Sequence, residues 1–97
     1  MATYIVLLNF TDQGIRNVKD TIKRTDAVRE TGKKFGVTLK DIYWTLGNYD
    51  VVHMYEAPDD ATLAAHLANL GALGNVRSLT LRAFSQDEMK GILAKVA

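Results

Sequence analysis

Apolar and polar positions change period several times along the chain, and each change marks an element. Thr3 to Phe10 is rich in β-branched and aromatic residues and predicts a first strand. Thr11 or Asp12 then offers an N-cap oxygen, and one long helix is expected from about Gln13 or Gly14 to Phe35. Along it, Ile15, Val18 and Ile22 form one apolar stripe. Val28, Gly32 and Phe35 form another, out of phase with the first, which implies a bend or a second contact surface. Gly36 is a C-terminal stop, and Val37 to Leu46 predicts a second strand. Gly47-Asn48 reads as a two-residue turn of the Gly-first type, so Tyr49 to Glu56 returns antiparallel as the third strand. Pro58 ends that strand, and Asp59 or Asp60 caps a second helix. Leu63, Leu67 and Leu70 share one face of this helix, and Gly71 stops it. Val76 to Phe84 predicts a fourth strand. Ser85 and Glu88 then form a capping box ahead of a short terminal helix with Met89, Ile92, Leu93 and Val96 on one face.

The order is βαββαβ followed by a C-terminal helix. It predicts an α+β, ferredoxin-like fold, with helices on one face of a four-stranded antiparallel sheet. The other face is then solvated, paired with another chain, or used. Assigning the purely apolar sets to the helix side puts Leu79, Leu81 and Ala83 under the helices. It leaves Asn9, Tyr43, Thr45, Tyr49, His53, Tyr55, Ser78, Thr80 and Arg82 on the open face, with Ile5, Leu7 and Val51 among them. Such a mixed surface suits a dimer interface with a polar cavity.

Ninety-seven residues predict a single domain over 1–97, with burial enough for modest stability, so self-association enters from the start. One proline and 47% apolar residues describe a folded chain. With no cysteine, disulfide, thiolate and cysteine-nucleophile chemistry is excluded. The apolar run Ile5-Val6-Leu7-Leu8 is too short for a signal peptide or membrane span, and the expectation is a cytoplasmic protein without membrane contact. Between Ile15 and Lys40, the bases Arg16, Lys19, Lys23, Arg24, Arg29, Lys33, Lys34 and Lys40 outnumber the acids Asp20, Asp26 and Glu30. A phosphate-binding stripe is one reading of this excess. A solvated helix face laced by Asp20 with Arg24 and Glu30 with Lys34 is the favoured one, so nucleic acid is not expected as a partner.

The hairpin Gly47-Asn48-Tyr49-Asp50 carries the pattern Gly-x-Tyr-Asp, and on it the chain resembles the GYD-domain family. Asn9-Phe10-Thr11-Asp12-Gln13-Gly14-Ile15, Val37 to Leu46, Glu56-Ala57-Pro58-Asp59-Asp60, Gly74-Asn75-Val76-Arg77 and Thr80-Leu81-Arg82-Ala83-Phe84 agree with it, over nearly the whole length. The resemblance implies a dimeric α/β barrel, in which two ferredoxin-like sheets face each other. That superfamily includes cofactor-free monooxygenases, haem enzymes and effector-binding regulator domains. The resemblance transfers no catalytic residue.

The side chains leave several roles open. His53 is a candidate base or ligand, or a hydrogen-bonded interface histidine, with His66 expected across the sheet. Arg82 can hold a carboxylate or pair at a subunit interface. Tyr43, Tyr49 and Tyr55 line an aromatic cavity or simply pack. Asp50 is a weak candidate base or, as favoured here, holds the hairpin's shape. The glycine at Thr11-Asp12-Gln13-Gly14 is a weak anion-site signal. The favoured function is a homo-oligomeric module that binds a small organic ligand at the open sheet face through Asn9, Tyr43, Tyr49, His53, Tyr55 and Arg82. It needs no cofactor and no metal. The alternative is a cofactor-free monooxygenase- or isomerase-like enzyme acting on an aromatic or carbonyl compound, with His53 or Asp50 as base.

Overall fold

β1 (Ala2–Phe10) is an inner strand that pairs antiparallel with both β3 (Val51–Ala57) and β4 (Val76–Ala83). The outer strand β2 (Thr38–Trp44) completes a sheet of order β2-β3-β1-β4. These relationships come from a computed structural model that describes residues 1–97. Helices α2 (Thr21–Lys34) and α3 (Asp60–Ala72) are the crossovers of the ferredoxin-like arrangement, and both pack on the same sheet face. Tyr4, Val6, Leu8, Val51 and Tyr55 of the sheet bury against Val28 of α2 and Leu63 and Leu70 of α3. Each fully buried aliphatic side chain here contributes about 1.5–3 kcal/mol. The sheet is open, with β2 and β4 as its edges, and does not close into a barrel.

The helix expected as one piece is broken into α1 (Asp12–Arg16), a 3-10 turn (Val18–Asp20) and α2. Asn17 causes the break. Its side-chain amide donates to the Gln13 carbonyl at 2.9 Å, competing with the helical ladder. Arg24 donates to the Asn17 carbonyl at 2.8 Å, which also accepts the Asp20 N–H at 3.0 Å, and to that of Gly14 at 3.2 Å. The bend explains the two stripes. Val28 and Gly32 face the core, while Ile15, Val18 and Ile22 remain exposed. Arg24 is thereby withdrawn from its expected pairing with Asp20. The lacing of α2 runs instead through Asp26 with Arg29 and Glu30 with Lys33.

Thr11 closes the start of α1. Its hydroxyl accepts the Gly14 N–H and donates to the Gly74 carbonyl, and Gln13 donates to Leu73 and Asn75. A Cβ on Gly14 would lie 1.9 Å from the Asn75 carbonyl oxygen, so only glycine fits there. Of the N–H groups read as an anion site, that of Thr11 joins the Asn75 carbonyl at the β4 entry, and those of Gly14 and Ile15 are taken by the Thr11 hydroxyl and carbonyl.

Strand register corrects the face assignment. Directly paired residues share a face, and Tyr4 pairs with Tyr55, Val6 with His53 and Leu8 with Val51. Val51, His53 and Tyr55 therefore lie under the helices, not on the open face. Tyr43 pairs with Val52 and Trp44 with Val51, so Tyr43 is open-facing and Trp44 helix-facing. The indole of Trp44 donates to Thr21 Oγ1 on α2 at 3.0 Å. Leu79 pairs with Leu7 and Leu81 with Ile5, which puts both leucines on the open face, whereas Ser78, Thr80 and Arg82 turn to the helix side. Hydrophobicity misassigns β4 because it is an edge strand whose helix side is covered only at its start. Val76 is buried there, but Ser78, Thr80 and Arg82 are not.

Candidate functional site

The open sheet face presents Ile5 and Leu7 of β1, Val52 and Met54 of β3, and Leu79 and Leu81 of β4, with Tyr43 of β2 at one side. Leu79 and Leu81 are 48% and 45% exposed and Tyr43 is 59% exposed. Four strands about 4.8 Å apart and about eight residues long make a face on the order of 500 Å². Its apolar centre is rimmed by Thr3, Asn9, Asp41, Glu56 and Arg77, an arrangement characteristic of an interaction surface. Beyond β4, α4 (Gln86–Leu93) starts at the Ser85–Glu88 capping box and makes no extended contact with any other element. Its Met89 and Leu93 stand exposed, as do the neighbouring Phe84 and Val96. Apolar surface on the arm and on the sheet is thus left unpartnered within one chain.

The hairpin between β2 and β3 is a framework device. Its tip is wider than the expected two-residue turn, with β3 starting at Val51 and Tyr43 paired with Val52, and it is closed by the Thr45 N–H donating to the Asp50 carbonyl at 2.8 Å. Gly47 takes φ +98, a conformation that disfavours any side chain. The Thr45 hydroxyl donates to the Tyr49 carbonyl at 2.6 Å. Asp50 reaches across to β1. Its N–H donates to the Leu8 carbonyl at 2.9 Å and its carboxylate accepts the Phe10 N–H at 2.9 Å. The carboxylate thus continues the β1–β3 ladder beyond Val51.

The residues expected to form one ligand site are dispersed. Asn9 and Tyr43 are on the open face, and Tyr49 is in the hairpin tip. His53 and Tyr55 are buried on the helix side. Arg82 stays within its own chain. Its guanidinium lies 4.5 Å from the Phe84 ring centroid and 5.6 Å from that of Tyr4, meets Glu88 at 3.5 Å, and donates to the carbonyls of Thr3 and Ala83.

Under the helices, a different cluster forms. His53 Nδ1 and the Tyr55 hydroxyl are 2.8 Å apart, and Tyr55 packs edge-on against His66 of α3, with centroids 5.6 Å apart. His66 also meets Phe35, so the two histidines lie on the same side of the sheet, bridged by Tyr55. Burial lowers the pKa of His53 to about 4, reinforced by His66 and Arg29, and burial also lowers that of His66. Both rings are therefore neutral at neutral pH. Burial pushes the Tyr55 hydroxyl far above its ordinary value. A cavity of about 480 Å³ opens beside this cluster between α2, α3 and the sheet.

The sequence carried signals for both features. His66 falls between Leu63 and Leu70 on the buried stripe of α3. Counting outward from Gly47-Asn48 sets His53 opposite Ile42 and off the face of Tyr43, a signal that the face assignment by hydrophobicity overrode.

The model of the GYD domain matches residues 4–93 of this chain. A protein of Thermus thermophilus, named glutamine synthetase and cystathionine beta-lyase binding protein, is 38% identical over 84 residues. The match covers 86% of this chain and 88% of that protein.

Proposed function

The chain belongs to the GYD-domain family, and from that premise we propose that it is a non-catalytic protein-binding module that self-associates through its open sheet face. The observation that carries this reading is the apolar surface of Ile5, Leu7, Val52, Met54, Leu79 and Leu81, left uncovered on a sheet whose other face is packed. Two copies placed face to face would form the dimeric α/β barrel, with the exposed apolar residues of α4 adding to the contact. Asn9 and Tyr43 supply polar contacts on the same surface.

The relative's name supports a role in binding enzymes and supplies the first partners to test, glutamine synthetase and cystathionine β-lyase of the same cell. Each enzyme is passed over immobilised wild-type protein and over a Leu79→Lys/Leu81→Lys variant. Saturable binding by the wild type, lost in the variant, supports enzyme binding by the face-to-face pair. Equal binding by both places docking elsewhere, and no binding of either enzyme removes these partners from the reading.

A further inference from the structure

Within the helix-side cavity, His66 is the informative residue. Its side chain is 2% exposed, and neither ring nitrogen has a hydrogen-bond partner in the protein. An unpartnered buried polar group costs roughly 1–3 kcal/mol, which leucine or phenylalanine at the same point on an apolar helix stripe would avoid. Groups retained against stability in this way concentrate at sites of function.

The cavity around it is otherwise built for a ligand. Its volume, about 480 Å³, lies within the range of small-molecule sites, roughly 300–1,000 Å³. Leu8, Val28, Val51 and Leu70 give it apolar walls. His53 also lines it, with Nδ1 engaged by Tyr55 and Nε2 as its remaining polar atom. The lining contains one cationic side chain, Arg24, and no carboxylate. Arg24 is half-buried, lies 5.9 Å from the Phe10 ring centroid, and is held by the Asn17 and Gly14 carbonyls. The cavity thus combines a half-buried cation held in place by two carbonyls, apolar walls and two buried neutral imidazoles.

We infer that this cavity binds a small carboxylic acid with a ring-sized apolar body and a polar substituent. The carboxylate meets Arg24, the body packs between α2, α3 and the sheet, and the substituent supplies hydrogen bonds to His66 and His53. This site is on the opposite face of the sheet from the protein-binding surface, so either assignment stands without the other.

The test uses 4-hydroxyphenylacetate as the probe and its uncharged amide as the control, titrated into the full chain and followed by heteronuclear NMR. The two histidines are the only ones in the chain, so their ring signals report the cavity directly. The acid is expected to shift His53, His66, Val28 and Leu70 saturably, with a Kd of about 1 mM or tighter. The amide is expected to bind about tenfold more weakly, and Arg24→Gln should abolish that difference. His66→Leu should weaken both compounds. No saturable shift at either histidine up to about 20 mM would overturn the assignment. So would equal binding of acid and amide, shifts confined to Leu79 and Leu81, or undiminished binding by His66→Leu.

Discussion

The Asp50 carboxylate accepts the backbone N–H of Phe10 at 2.9 Å, joining the signature hairpin to a strand 40 residues away in sequence. The same residue donates its own N–H to Leu8 and accepts from Thr45, so three chain segments meet at one side chain and its peptide. Asp50 of the Gly-x-Tyr-Asp motif therefore fixes the end of the sheet.

Asp50→Ala is expected to lower stability by about 1–2 kcal/mol, because it leaves the Phe10 N–H without its charged acceptor. Asp50→Asn, which keeps a carbonyl oxygen, should lose less. Urea denaturation of the two variants checks the order, and equal losses would contradict the carboxylate's role.

Gly14→Ala should cost about 2–4 kcal/mol, more than a surface helix substitution, because the new methyl would collide with the Asn75 carbonyl. Gly71→Ala is the control, since nothing lies within 4 Å of its added Cβ. Thermal midpoints of the two variants should differ by several degrees.

The histidine pair makes stability pH-dependent. Its folded-state pKa values lie below the unfolded value, so the unfolded chain takes up protons first as pH falls. The contribution is complete above about pH 6.5 and is lost as pH falls from there towards the folded value of His53. A drop from 6.5 to about 4 for His53 corresponds to about 3 kcal/mol at ~1.4 kcal/mol per unit. Urea midpoints should fall between pH 7 and pH 4.5, with a shallower slope in His53→Gln. An unchanged slope in that variant would remove His53 as the source.

Element order, the caps of α3 and α4 and the position of the hairpin were legible in the sequence because each rests on local chemistry: Asp59 accepting the Thr62 N–H, Ser85 with Glu88, and Gly47 at positive φ. The break at Asn17 was visible as a phase shift between Val18 and Val28. Its form depended on Arg24 reaching back to two carbonyls, a contact no periodicity encodes. The faces of β3 and β4 were misread because side-chain alternation fixes only which residues go together. Which set faces the helices depends on pairing with β1, and on an edge strand the polar set can take that side. The cluster of His53, Tyr55 and His66 joins a strand to a helix, and only the packing of α3 on the sheet brings it together.

The proposal that two copies associate through the open sheet face is tested most directly by the mass of the wild-type chain in solution, compared with that of Leu79→Lys/Leu81→Lys. Sedimentation equilibrium should give the wild type twice the chain mass of 10.7 kDa, or a multiple of the dimer, and the variant a folded monomer. A wild type that remains monomeric at high concentration, or a variant that associates as well as the wild type, would contradict it.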